Sequence, residues 1–290
     1  IINWIIDFLI DRKQRVVVDG LQTEYVDITR GVPQGTVLGP FLFSLMVNDI
    51  KPADGDNNLL VKFADDITVS APVKNGKDTA LTEVTNIKDW ANENRMIVNI
   101  SKTWEMVLSK GVLKQLPPQI DGIKRKEWLK LLGVSFQDDP CCWDLHIDNV
   151  LSKASGRMYI LRVCKSHGCN LDHLTKLFES LILSLFTYAI EVWGPALLKK
   201  YLNRIDKFLA RAHRYRYTDT KYNISSIIEQ KSKDLFSKIF NDKEHVLYKL
   251  LPKEREKILR RREHNFILPQ VKTERFKRSY VNRCLFNYFN

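Results

Sequence analysis

A chain of 290 residues is long enough to bury a sizeable core and to hold two domains, and its 46 Lys/Arg against 34 Asp/Glu leave a charge of +12, the direction expected for a partner with a phosphate backbone. Five cysteines, an odd number that includes the neighbours Cys141 and Cys142, argue against a disulfide framework and for a reducing intracellular compartment, with nucleus or cytoplasm left open. The most apolar stretch, Leu181 to Ile190, is bounded by Glu179 and Glu191 and falls far short of the ~20 apolar residues that span a bilayer, so it reads as a core helix, with no membrane partner and no visible secretory signal.

In chain order, Trp4–Leu9 predicts a helix, and Arg15–Val18 and Tyr25–Ile28 predict strands paired across Asp19-Gly20. Gly31-Val32-Pro33-Gln34-Gly35 follows as a stiff loop whose glycines let backbone approach another molecule closely. Leu38, Phe41, Leu42, Leu45 and Met46 then fall on one apolar helical face, with Pro40 in the first turn, where its missing N–H costs nothing. The string Leu59-Leu60-Val61-Lys62-Phe63-Ala64-Asp65-Asp66-Ile67-Thr68-Val69 is strand chemistry interrupted by two carboxylates. Inside one strand, neighbours point to opposite faces, so a tight turn between Phe63 and Ile67 is the arrangement that brings both acids to a common tip. Two anions held together call for a neutraliser, and a divalent metal is the usual one. Taken alone, an Asp-Asp pair is as well explained by a solvated surface turn.

Beyond the hairpin, Leu81, Val84, Ile87, Lys88 and Trp90 mark a second amphipathic helix, followed by strands at Met96–Ile100, Glu105–Leu108 and Lys130–Phe136. From Asp148 onward the pattern is helical: Val150–Val163, Leu171–Val192, Tyr201–Ala212, then weaker helices to about Arg262. The layout is α+β, an antiparallel sheet with helices on one face over residues 1–140, then an all-α part over 141–262 and a basic tail over 263–290. Residues 251–290 hold 11 Lys/Arg against 4 Asp/Glu, interleaved with Phe266, Phe276, Tyr280, Phe286 and Tyr288. Nucleic-acid contact and a solvated terminus both fit that composition, and Arg260-Arg261-Arg262 is too short to be read as nuclear targeting. Cys164, His167, Cys169 and His173 match no zinc spacing, and no metal is assigned to them.

Together these strings resemble the palm of a reverse transcriptase, and specifically those of non-LTR (LINE-type, jockey-like) retrotransposons. GVPQGTVLGPFLFSLMVNDI is similar to the family's motif B loop and helix, and KFADDITV to its motif C. WANENRMIVNISKTWEM is similar to the segment ending in motif D, and WLKLLGVSF to the motif E strand. IINWIIDFLIDRKQRVVVDG resembles the helix and strand before motif B, and RSYVNRCLFNYFN the usual end of such elements. Retroviral enzymes carry a different residue pair before the two aspartates and lack the long Leu-rich tail.

The resemblance implies a polymerase palm carrying motifs B to E, then a helical thumb with a C-terminal extension. It implies RNA-directed DNA polymerase activity: a primer 3′-hydroxyl attacks the α-phosphate of a dNTP on an RNA template, with two Mg²⁺ ions, or Mn²⁺ in their place. On the matching positions, Asp65 is the direct metal ligand and Asp66 its supporting partner; Phe63 packs beneath the turn and supports the primer end. Gly31, Pro33, Gln34 and Gly35 lie against the template base and incoming nucleotide; Lys102, the motif D lysine, neutralises or protonates the departing pyrophosphate, and Gly133 brings backbone near the primer. Lys102 reads equally as a surface lysine and Gly133 as a strand glycine.

The family's site takes a further aspartate from motif A, on a strand expected upstream of Ile1, and Asp7 and Asp11 sit on or beside the opening helix and do not replace it. Fingers and endonuclease regions are likewise expected upstream, in the full-length element protein. The expectation is a C-terminal portion of the polymerase that does not extend a primer alone. The alternatives are a decayed non-catalytic copy, or a palm–thumb remnant that only binds RNA or RNA–DNA duplex.

Overall fold

The computed structural model describes residues 1–29, 31–109, 115–255, 266–271, 273–277 and 279–288. They form two compact units: unit 1 is built from residues 1–105 and 113–125, unit 2 from 106–112 and 126–290. Helix and strand are mixed as an α+β chain requires, but the expected single antiparallel sheet does not form among the described residues. The strands close five separate two-stranded pairs, one of them parallel.

In unit 1, α1 (Ile2–Leu9) leads into β1 (Arg12–Gln14), β2 (Val17–Val18), β3 (Leu21–Gln22) and β4 (Val26–Ile28). Asp19 (φ 49°) and Gly20 (φ 83°) have the two positive φ values of a type I′ turn, so the reversal falls where the sequence put it. The pairing differs from expectation: β2 pairs with β3, and β4 pairs with β1 rather than with Arg15–Val18. The register shifts by one residue between the two pairs and leaves Arg15 opposite both Glu24 and Tyr25, a bulge. Next come α2 (Leu38–Met46), β5 (Leu59–Phe63), β6 (Asp66–Ser70) and α3 (Ala80–Glu93). The strand expected at Met96–Ile100 is absent: Arg95 takes a left-handed φ of 55°, ends α3, and delivers a segment that no described strand pairs. Only β7 (Trp104–Glu105) of the expected Glu105–Leu108 strand is paired, in parallel with β8 (Lys124–Arg125), where Arg125 Nε also meets Glu105 Oε1 at 2.7 Å.

Unit 2 opens with β9 (Trp128–Leu131) and β10 (Val134–Gln137). The single strand read at Lys130–Phe136 is a hairpin, because Leu132 (φ 45°) and Gly133 (φ 87°) reverse the chain within it. Helices follow: α4 (Asp144–Ser166), α5 (Leu171–Phe178), α6 (Ser184–Thr187), α7 (Ile190–Trp193), α8 (Lys199–Arg214) and α9 (Ile224–Asn241). The continuous helix expected over Leu171–Val192 is interrupted twice. A π-helical turn at Glu179–Leu183 frees the Leu181 carbonyl, which accepts from Arg157 Nη1. Ala189 at φ 49° then breaks the axis, and Trp193 Nε1 donates to the stranded Tyr188 carbonyl at 3.0 Å. Phe178, Ile182, Phe186, Ile190 and Trp193 nevertheless keep one fully buried face through both interruptions, packed with Ile147, Leu161, Ile205 and Leu209. No single helix among the described residues is long and apolar enough to cross a membrane. Near the C-terminus come α10 (Glu274–Lys277) and α11 (Tyr280–Asn287). Phe236, Phe266, Cys284 and Leu285 form a second core between α9 and α11, and the Tyr280 hydroxyl donates to Ser232 O at 2.9 Å. Phe266, Tyr280 and Tyr288 thus face protein, while Arg260-Arg261-Arg262 lies outside the described residues.

His146 is buried between Trp143 and Trp193, edge-on to both rings, and its Nδ1 accepts from the Ser135 N–H at 3.3 Å. Burial, with the charge of Lys153 adding to it, pushes the imidazole down to about 4. The unfolded chain takes up this proton near pH 6.5 and the folded chain only near 4. The contribution is therefore whole above pH 6.5, falls as pH drops toward 4 and is flat below, a span of about 3 kcal/mol. Denaturant midpoints measured across that window should fall for the parent chain and stay much flatter for His146→Gln; parallel curves would rule this histidine out as the cause.

Candidate active site

In the β5–β6 hairpin Phe63 pairs with Asp66, which leaves Ala64-Asp65 as a two-residue turn. Ala64 has φ 50° and Asp65 a negative φ, the sign pattern of a type II′ turn, which favours glycine at its first position. Asp65 stands at the tip, Asp66 starts β6, and both are exposed. Among the described residues no group of three or more His, Cys, Asp and Glu is placed to hold a metal ion. Leu59, Val61 and Phe63 alternate onto one face of β5, and that face is open: Phe63 is 62% exposed and does not pack beneath the turn.

The opposite face of β5 carries Lys62, a residue the sequence reading passed over. Its Nζ donates to the carbonyls of Val47, Asn48 and Ile50, each at 2.9 Å, at the C-terminal end of α2 and the 3₁₀ turn after it. A cation suits that position, since helix-terminal carbonyls have no partner of their own. The segment just beyond is held by Glu83 of α3, fully buried, which accepts from the N–H groups of Ala53 and Asp54 and from Asn58 Nδ2. Burial by itself raises the Glu83 carboxyl; the Asn58 amide and the two backbone donors outweigh it and hold the group below the usual carboxylate range. Asn86 Nδ2 bonds Lys51 O, and Trp90 Nε1 bonds Asp49 Oδ1. The face of α3 that works is therefore Glu83–Asn86–Trp90, while Leu81 of the expected apolar face stays exposed. The signal available in the sequence was a single lysine, in phase with Leu60, inside an otherwise apolar strand.

The Gly31–Gly35 loop is anchored at both ends. Arg12 Nη2 donates to Gly31 O at 2.7 Å while its Nε holds Leu9 O, the last carbonyl of α1. Thr36 Oγ1 donates to Pro33 O and accepts from Gly39 N. Gly39 is buried because a Cβ there would sit 2.8 Å from Pro33 O, so the loop folds onto the first turn of α2 only with glycine at that position. Gly31 (φ 74°) and Gly35 (φ 78°) need no close neighbour; their left-handed backbone is the reason for glycine, and Gln34 beside them is exposed. The covered side of α2 is Gly39, Leu42 and Phe43, with Val47 beyond, and Phe41, Leu45 and Met46 point outward. Lys102 closes a 3₁₀ turn capped by the Asn99 side chain and is exposed. Gly133 belongs to unit 2, where a Cβ would meet the Tyr188 ring at 3.1 Å. A cleft of about 210 Å³ in unit 1, lined by residues that include Asp54, Lys74 and Asp78, contains none of these site residues.

Residues 1–136, just under half of the chain, match the family model for reverse transcriptase (RNA-dependent DNA polymerase). Within the family the similarity is to enzymes of non-LTR elements. The chain is 26% identical over 215 residues to the RNA-directed DNA polymerase from mobile element jockey of Drosophila melanogaster, covering 68% of this chain and 23% of the relative. It is 28% identical over 209 residues to the probable RNA-directed DNA polymerase from transposon BS of the same species, covering 67% and 23%. The chain thus spans about a quarter of the length of these curated relatives, and no solved structure matches it.

Lys62→Met should leave the Asn48 and Ile50 carbonyls without their lysine donor and Val47 O with only the Ile50 N–H at 3.4 Å, and cost about 2 kcal/mol. The readouts are the denaturant midpoint and amide exchange across β5 and α2. A loss below about 0.5 kcal/mol, within the range of ordinary surface substitutions, would show that the clamp does not hold the hairpin.

Proposed function

We propose that unit 1 carries part of the polymerase site of a mobile-element RNA-directed DNA polymerase, which transfers deoxynucleotides from dNTPs to a primer 3′-hydroxyl on an RNA template. The observation that carries this reading is the Ala64-Asp65 turn, which sets Asp65 beside Asp66 at the start of β6, on a hairpin tied through Lys62 to the helix behind the Gly31–Gly35 loop. Two exposed carboxylates present the hard oxygen donors that Mg²⁺ or Mn²⁺ takes, and such ions need only a few of them. When bound, the ions supply charge neutralisation at the reacting phosphate and a more acidic hydroxyl. Asp65 and Asp66 hold and orient that charge. Gln34, with the backbone of Gly31, Pro33 and Gly35, presents donors and acceptors to the template base and incoming nucleotide, and Lys102 offers its ammonium to the leaving pyrophosphate. The open face of Phe63 supplies an apolar contact for the primer end. Five free thiols fit an intracellular setting.

A second reading, nucleic-acid binding without chemistry, is favoured by the lack of a third carboxylate near the pair among the described residues. Mn²⁺ titration followed by electron paramagnetic resonance tests the metal site: Asp65→Asn should weaken binding about tenfold or more, a loss of about 1.4 kcal/mol, and Asp7→Asn should change nothing. Equal affinity in the parent chain and Asp65→Asn would sink the assignment. In primer extension on an RNA template the 290-residue chain alone should give no product, and product would refute the incomplete carboxylate set.

A further inference from the structure

α4 and α8 lie side by side and run in the same direction. At their N-terminal ends Lys200 pairs with Asp144 and Arg204 with Asp148; at their C-terminal ends Lys165 Nζ donates to Tyr215 O at 2.8 Å. The first half of this seam is charge-complementary and the second half is not. Residues 149–171 contain Lys153, Arg157, Arg162 and Lys165 and no Asp or Glu. Residues 207–218 contain Lys207, Arg211, Arg214 and Arg216, again with no acid. Among the described residues Arg162, Lys165, Arg211, Arg214 and Arg216 are exposed and form no ion pair. Rings stand among them: exposed Tyr159 lies 5.0 Å from the Arg162 guanidinium and exposed Tyr215 5.9 Å from that of Arg214, while half-buried Tyr217 lies 5.6 Å from Lys165 Nζ. Cations in a last helical turn complement the helix dipole, which accounts for Lys165 on α4 and for Arg211 and Arg214 on α8. It does not account for two parallel helices placing both basic ends at the same end of one seam, where like charges repel until an anion is present.

We propose that the C-terminal ends of α4 and α8 form a binding surface for single-stranded RNA, with the cations on phosphates and Tyr159 and Tyr215 stacking on unpaired bases. Cations and rings alternate on one surface, which fits a flexible strand whose phosphates and bases are both accessible. This surface goes beyond the polymerase reading and uses no residue of unit 1, so it stands or falls separately.

Fluorescence anisotropy with the 290-residue chain tests it, using an unstructured oligouridine and an RNA duplex of equal length. The oligouridine should bind more tightly. The double variant Arg162→Gln/Arg214→Gln should weaken it about tenfold or more and make the slope of log affinity against log salt shallower by about 1.4, since each strand phosphate contact contributes about 0.7. Arg216→Gly separates binding from folding. Arg216 occupies the left-handed position (φ 54°) in the same terminal hydrogen-bond pattern that Gly168 (φ 84°) closes on α4, so glycine is at least as well accommodated there. Its denaturant midpoint should hold while RNA affinity falls about threefold, by the contribution of one phosphate contact. Asp65→Asn should leave RNA binding unchanged, so a failed metal site and a failed RNA surface give different results. Unchanged affinity and salt slope in both arginine variants would overturn the proposal, as would a duplex bound at least as tightly as the single strand.

Discussion

The stretch from Val47 to Asp54 joins α2 to β5 with no sheet or long helix to satisfy its backbone, and two side chains of opposite charge do so instead. Lys62 takes carbonyls at its start and Glu83 takes N–H groups at its end. Lys62 ties β5, the strand that leads to the Asp65-Asp66 turn, to this segment and so to the end of α2, whose first turn carries the glycine loop. Few buried hydrocarbon groups stand behind the segment, chiefly Val47, Ile50 and Ala91. Directional contacts therefore set the geometry where an apolar core would normally do so. Such a joint is precise and brittle. Removing either charged group leaves backbone polar atoms unpaired and costs more than the bond itself was worth.

Unit 2 solves a similar problem with strain. Leu132 and Ala189 both hold left-handed φ values that cost about 1–2 kcal/mol each for a residue with a Cβ. The two are linked. The break at Ala189 turns Tyr188 out of the helix, its hydroxyl donates to Leu132 O at 2.6 Å, and its ring fills the space that Gly133 leaves open. One strained residue thus supplies the contact that secures the other, and Trp193 Nε1 satisfies the Tyr188 carbonyl that the break exposes. Ala64 has no comparable support: its left-handed turn is held by the five paired positions of β5 and β6 alone.

These particulars explain which features were legible in the sequence. The Ala64-Asp65 turn was readable because adjacent acids inside a strand string conflict with strand alternation. The Asp19-Gly20 reversal was readable because the pair favours positive φ. The hairpin inside Lys130–Phe136 was not, since Leu132 is a poor residue for the conformation it adopts and only Gly133 hinted at it. The break at Ala189 was hidden for the same reason. Periodicity located α2 and α3 and part of their covered faces: Leu42, Val84, Ile87 and Trp90 of the apolar pattern are partly covered, Phe41, Leu45 and Leu81 stay exposed, and Gly39 and Glu83, outside the pattern, are the buried residues that make the contacts. A pattern of apolar residues marks a face suited to burial. It cannot show that a buried glutamate with three donors fixes the packing instead. The roles of Arg12 and Lys62 depend on carbonyls distant in sequence, and no spacing rule reaches them.

On the two readings proposed above, the units would hold phosphate in physically different ways. At the hairpin tip the protein presents anions, so any grip on a phosphate there must pass through a bridging cation and depends on divalent ion more than on monovalent salt. At the ends of α4 and α8 it presents bare cations, so contact is direct and weakens steeply as salt displaces it. Arginine predominates over lysine on this surface, and a planar guanidinium both bonds phosphate oxygens in pairs and lies flat on a ring. An acidic tip suits an exchange of bonds at one phosphorus atom, where charge must be concentrated. A basic and aromatic seam suits retention of a long strand, where many weak contacts share the load and no single phosphate need be fixed. In a chain of net charge +12 the acidic tip stands against the general field, so its affinity for a cation must come from the local placement of Asp65 and Asp66 rather than from the charge of the whole.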